Sequence, residues 1–205
     1  MEPYKLYAVR SWGSAIVELA FELSGLAYTV EYLSNEEVHT SEFRKMSPLE
    51  QIPTLLLPDG EIMTESLAIC LFIDAKGRGG LVPQKGSHDY HRFLRWAVFL
   101  VSSIYSLAPT ADHPEWFVSE RSAQLQLQEE SMRRAKDRFL LMEKEARAPW
   151  FLGDQLSVID LFLAVMSTWD PGREWFEANC PEIMKNVGRV EEMPELDIVF
   201  KRNSR

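Results

Sequence analysis

The chain has 205 residues, of which 46% are hydrophobic and 11% aromatic, enough apolar material for one large packed domain or two small ones. Charged residues make up 26%, near the globular average, which argues against a disordered chain. The net charge of -9 offers no electrostatic footprint for nucleic acid, whose binders gather Lys and Arg on one face.

Two cysteines, Cys70 and Cys180, show neither a CxxC motif nor metal-ligand spacing, so a disulfide-built secreted scaffold is disfavoured. Cys70, inside "SLAICLFI", reads as a small core residue. The first twelve residues, "MEPYKLYAVRSW", lack the basic, apolar and small-residue order of a secretory signal. "WAVFLVSSIYSLA" is shorter than the roughly 20 residues that span a bilayer. On these grounds the sequence reads as cytoplasmic, with no membrane and no nucleic-acid partner.

In chain order, "YKLYAV" predicts a short strand. "SAIVELAFEL" carries Ile16, Leu19, Ala20 and Leu23 at helical spacing, with Gly25 placed as the left-handed residue past its end. "AYTVEYL" puts Tyr28, Val30 and Tyr32 on one strand face. "SNEEVHTSEFRKM" has little periodicity. "SPLE" has the grammar of one helical turn, with Ser47 as cap, Pro48 first and Glu50 three after the cap. "TLLL" and "EIM" flank Pro58-Asp59-Gly60 and predict a hairpin, and "ESLAICLFIDAKG" predicts a helix stopped by Gly77.

This order makes an α/β unit with one crossover helix after the first strand. "GRGGLVPQKGSHD" then holds four of the ten glycines and reads as a linker. Beyond it, "YHRFLRWAVFLVSSIYSLA", "RSAQLQLQEESMRRAKDRFLLMEKEAR" and "SVIDLFLAVMSTW" predict helices, and no strand is expected.

Three stretches carry candidate chemistry. Pro53 opens a strand without an N–H to give; it is either an ordinary edge proline or a cis turn that aims the Ile52 backbone at an extended peptide. Glu65-Ser66, at the start of an apolar helix, is either a plain cap or a grip in which Ser66 and free N–H groups take a carboxylate and Glu65 takes an ammonium. In "SWGS", Ser14 suits capping, whereas Ser11 lies a turn earlier, where its hydroxyl could donate to a thiolate. A free thiol, near pKa 8.5, is only a few per cent ionised at neutral pH.

"SPLEQIPTLLLPDGEIMTES" with "LAICLFI", the serine before the first helix, and "FLGDQLSVIDLFLAV" together resemble the cytosolic glutathione transferases, serine-type, over nearly the whole chain. The resemblance implies a thioredoxin-like α/β N-terminal domain (1-79), a linker (80-88) and an all-α helical C-terminal domain (89-205), in a homodimer. It assigns Ser11 as catalytic hydroxyl, with Tyr7 as runner-up, and glutathione as co-substrate without any metal. Glutathione would be held by Gln51, Ile52, cis Pro53, Glu65 and Ser66, with His39, or in its place Lys45, at the glycine carboxylate. Ser157 and Asp160 would form a capping box.

Trp12, Tyr105, His113, Trp116 and Trp169 are candidates for an electrophile pocket between the halves. Glu50 departs from the family pattern and would repel the glycine carboxylate. The implied activity is conjugation of glutathione to small electrophiles. The rival is a non-catalytic relative that uses the same fold to bind proteins.

Overall fold

The computed structural model describes residues 3–204. A four-stranded sheet, ordered β2-β1-β3-β4, anchors the first part. Strand β1 (Tyr4–Ala8) leads into helix α1 (Ser14–Ser24), which crosses over to β2 (Tyr28–Tyr32). The crossover makes β1 and β2 parallel, with Leu6 opposite Val30. On the other side, β3 (Thr54–Leu56) runs antiparallel to β1, and β4 (Ile62–Met63) antiparallel to β3.

Central β1 is covered on both faces, so its alternate residues enter different clusters. Leu6 and Ala8 lie in the main core, and Tyr7 packs with Val38, Phe43 and Ile52. Helix α1 ends where the sequence predicts, at Gly25 with φ 73°, a conformation glycine adopts without steric cost. The Pro-Asp-Gly hairpin also forms, with Gly60 at φ 90° and Asp59 Oδ1 accepting the Glu61 N–H.

Two segments differ from the reading of the sequence. "SNEEVHTSEFRKM" folds as two short helices, α2 (Asn35–Val38) and α3 (Ser41–Met46). The first opens on a capping box between Ser34 and Glu37, and Thr40 caps the second; such caps satisfy orphan N–H groups where periodicity is too short to show. "SPLE" is not a helical turn. Glu50 N–H closes a turn on the Ser47 carbonyl and Glu50 stands at φ 54°, while the Ser47 hydroxyl bonds the N–H and carbonyl of Gln51 instead of capping.

Helix α4 (Ser66–Lys76) is followed by the glycine-rich connector, and the rest is helical. Helix α5 (His88–Phe99) continues through a π turn (Leu100–Ile104) and a 3-10 turn (Tyr105–Leu107) into α6 (Ala108–Asp112). The continuous run His88–Asp112 is long and apolar enough, by length and composition, to cross a membrane, a property the shorter stretch picked from the sequence does not have. One face of it, Phe93, Trp96, Ala97, Leu100 and Ile104, is in the core.

Next come α7 (Arg121–Glu143), α8 (Val158–Met166), α9 (Arg173–Asn179), α10 (Pro181–Glu191) and α11 (Asp197–Asn203). Every residue of α8 is buried, as befits a helix apolar on all sides; each large side chain there contributes roughly 1.5–3 kcal/mol. The one polar member, Asp160, accepts the N–H groups of Phe151 (2.8 Å) and Ser157 (2.9 Å) and the Ser157 hydroxyl (2.8 Å). Burial pushes its carboxyl up to about 6, against the pull of those three donors.

The connector is tied down. Leu81 is buried, its N–H donates to Asp74 Oδ1 at 2.7 Å, and its carbonyl accepts the Val158 N–H at 2.9 Å.

Candidate functional site

Helix α4 begins beside the hairpin on Glu65, whose φ is 68°. The left-handed backbone directs an exposed carboxylate outward next to Ser66, which is 9% exposed. Opposite, the Ile52–Pro53 bond is cis. Both polar backbone groups of Gln51 are used, its N–H by Ser47 and its carbonyl by Ser47 and Thr54. Ile52 has no such partner for its N–H or carbonyl among the described residues. An unpaired donor and acceptor on one residue are what a strand-like peptide needs for pairing.

At the far end, Glu50 does not stand as a bare negative charge. Its carboxylate meets His39 Nδ1 at 2.7 Å and is paired with Arg44. Both partners hold the Glu50 carboxyl below its usual range, His39 foremost. The feared repulsion is therefore offset inside the protein, though His39 is engaged by the same bond. Lys45 is turned to Glu42 at 2.7 Å. Arg44 escapes the sequence reading because its pairing depends on the Glu50 turn.

The third corner is the turn between β1 and α1. Ser11, at φ 63°, is bonded through all three of its polar groups. Its N–H donates to Asn203 Oδ1 (2.9 Å), its hydroxyl to the Asn203 carbonyl (2.7 Å), and its carbonyl accepts Trp169 Nε1 (2.9 Å). Asn203 Nδ2 donates in turn to Glu18 Oε1 at 3.1 Å. Glu18 is wholly buried, also accepts the Tyr32 hydroxyl at 2.6 Å, and is shifted up by burial. No local pattern announces Asn203.

Ser14 is the first residue of α1 rather than its cap. It accepts the Val9 N–H and donates to the Val9 carbonyl. Tyr7 has the Lys5 ammonium over its ring, 4.9 Å from the centre, and packs edge-on against Phe43.

Of the five aromatic candidates, three gather here. Trp12 packs on the Tyr7–Ile52 cluster, and Tyr105 lies 5.2 Å, ring to ring, from Trp169. His113 and Trp116 stack on each other at 4.2 Å in the segment after α6, and Trp116 is exposed. Among the described residues no group of three His, Cys, Asp or Glu side chains could hold a metal ion.

Ser11, Glu50 and Glu65 are the non-glycine residues with positive φ among those described. Each costs on the order of 1–3 kcal/mol, and such strain gathers at ligand sites. Comparison with known proteins gives the family. Residues 14–76 match the family model described as the N-terminal domain of glutathione S-transferase. The uncharacterized GST-like protein YncG of Escherichia coli is 34% identical over 203 residues, covering 97% of this chain and 98% of that one. The chain belongs to the glutathione transferase family.

Glutathione S-transferase U4 of Arabidopsis thaliana is 26% identical over 161 residues, 78% of this chain and 67% of the relative. A glutathione transferase homolog from Sulfitobacter, crystallised with bound glutathione, shares the glutathione transferase fold over 100% of both chains at TM-score 0.91 and 20% identity.

Proposed function

We propose that this glutathione transferase family member binds reduced glutathione along β3 and the start of α4 and transfers its thiol to small electrophilic carbon compounds. The observation that carries the reading is the placement of the three strained residues: Glu50 before the cis-proline strand, Glu65 at the start of α4 and Ser11 at the turn before α1. In this reading Glu65 meets the γ-glutamyl ammonium, and Ser66 with the first N–H groups of α4 takes its carboxylate. Ile52 pairs with the cysteinyl backbone beside Gln51 and Pro53, and His39 turns to the glycine carboxylate.

The sulfur arrives at the β1–α1 turn. There Ser11, or Tyr7 in second place, is the hydroxyl that the family resemblance nominates; for Ser11 to donate, its proton leaves the Asn203 carbonyl for the sulfur. The thiol loses its proton to water, and the thiolate pair forms the S–C bond. The leaving group departs with its own pair. Thiolate stabilisation and proximity supply the rate. Trp12, Tyr105 and Trp169 wall the electrophile, with His113 and Trp116 further out.

The same reading divides the chain into a glutathione-binding half (1-79), a connector (80-88) and a helical half (89-205). It places the protein in the cytoplasm as a homodimer, with Leu49, 73% exposed, as a contact. A non-catalytic binding module is the second reading, favoured by the Ser11 proton already being spent on Asn203. Calorimetric titration with reduced glutathione, wild type beside Glu65→Ala, tests the clamp: binding in the micromolar-to-millimolar range that the variant loses supports it. A folded wild type that does not bind overturns it.

A further inference from the structure

We propose that Tyr105, reaching across from the helical half, is a catalytic residue whose hydroxyl donates to the ionised sulfur of bound glutathione. The inference rests on the reading that glutathione occupies the clamp. Four hydroxyls lie around the start of α1, and the two serine hydroxyls are engaged elsewhere. Ser11 donates to the Asn203 carbonyl at 2.7 Å. Ser14, wholly buried, donates to the Val9 carbonyl at 2.9 Å. Tyr7 lies on β1, with the Lys5 ammonium over its ring, 4.9 Å from the centre, and Phe43 edge-on.

Tyr105 is the fourth. Its Oη covers Gly13 so closely that a Cβ added there would lie 1.9 Å away, and the Ser66 hydroxyl is its neighbour on the other side. The oxygen thus stands between the start of α1, where the sulfur arrives, and the start of α4, where the γ-glutamyl end is held. The N–H groups of Gly13 and Ser14 have no acceptor among the described residues and point the same field at that place.

The backbone that presents Tyr105 is irregular. The π turn at Leu100–Ile104 and the 3-10 turn it opens rotate the side chain off the α-helical path, as such insertions do at functional sites. Phe162 and Trp169, with ring centroids 6.3 and 5.2 Å away, fix the ring. Trp169 holds the Ser11 carbonyl as well, so the phenol and the turn share one support. Burial raises the Tyr105 hydroxyl to about 12. It therefore keeps its proton across the range in which a thiol ionises, and acts as a donor rather than as a base.

The test is a pH titration of the protein–glutathione complex, followed by ultraviolet thiolate absorbance, for wild type, Tyr105→Phe and Ser11→Ala. Tyr105→Phe is expected to raise the ionisation midpoint by about one pH unit, the effect of losing one donor to a charged group. It is also expected to lower kcat/KM about tenfold below that midpoint, with glutathione affinity held within about threefold. The shift is expected to exceed that of Ser11→Ala. A midpoint unmoved in Tyr105→Phe, or moved further in Ser11→Ala, overturns the assignment of Tyr105 while leaving the clamp standing. A wild type that binds no glutathione in calorimetry overturns both.

Discussion

Ser11 and Asn203, 192 positions apart, share two hydrogen bonds: the Ser11 N–H donates to the Asn203 side-chain oxygen and the Ser11 hydroxyl to the Asn203 carbonyl. The last turn of α11 thereby closes the turn that opens α1. Arg10 adds a third bond beside them, from its guanidinium to the Arg202 carbonyl at 2.7 Å. The geometry of the proposed thiol site is therefore set by residues from the opposite end of the chain.

Asn203→Ala removes the acceptor of the Ser11 N–H and a donor to the buried Glu18 carboxyl. Each group left unsatisfied costs roughly 1–3 kcal/mol, so a loss of about 2–3 kcal/mol is expected in urea unfolding. A loss below about 0.5 kcal/mol, the scatter of ordinary surface changes, would show that this latch does not hold the fold.

Gly13→Ala is predicted to be tolerated by the backbone, since Gly13 sits at φ -60°, and resisted by Tyr105, whose Oη would meet the new Cβ at 1.9 Å. Overpacking of this kind costs typically 1–3 kcal/mol. Tyr105→Phe removes the clashing oxygen, so the double variant should be more stable than the sum of the two single losses. Strict additivity in a thermodynamic cycle would refute the contact.

Glu50→Gln frees His39 and Arg44 from the carboxylate they share. If the glycine carboxylate of glutathione comes to this end, the variant binds it several-fold more tightly, and most visibly at low salt. Calorimetry reads this directly. Unchanged or weaker affinity would mean that the ligand's anionic end lies elsewhere.

Asp160 supplies a signed pH effect. Its carboxyl is raised in the fold from 3.8 to about 6, so the folded state holds the proton longer than the unfolded chain. Its contribution is complete below about pH 4 and fades as pH rises toward 6, by about 3 kcal/mol at most. The cost of Asp160→Asn should accordingly shrink between pH 4 and pH 6.5 in matched denaturation curves. A cost that grows with pH would mean that the three donors outweigh burial and favour the anion.

The elements that were legible in the sequence are those decided by near neighbours. Gly25 ends α1, Pro58-Asp59-Gly60 makes the hairpin, and Ser157 with Asp160 forms the buried capping box, each within a few residues of the feature it sets. "SPLE" misleads because Ser47 spends its hydroxyl on Gln51 and its carbonyl on the Glu50 N–H, which turns the Glu50 carboxylate to His39 and Arg44. Helices α9, α10 and α11 have 7, 11 and 7 residues, too short to stand on propensity. They form because Phe176, Ile183, Val187, Val190 and Val199 find a core to enter.

Of the proposed site, the clamp residues stand out by type and spacing, whereas Arg44, Asn203 and the contact of Tyr105 with Gly13 depend on the finished fold. Tyr105 is nameable from sequence as one pocket aromatic among several. Its singular position emerges only from the π turn that precedes it.

The bonds of Leu81 bear on how the molecule comes apart. With its side chain in the core, its N–H on α4 and its carbonyl on the first residue of α8, the connector acts as a seam and leaves no swivel between sheet and helices. Loosening the helical half pulls on α4, and loosening α4 exposes the foot of α8. Denaturant is therefore expected to melt both halves in a single cooperative step, and a nick at the exposed residues near Lys85 would leave two fragments that stay joined until that step is reached.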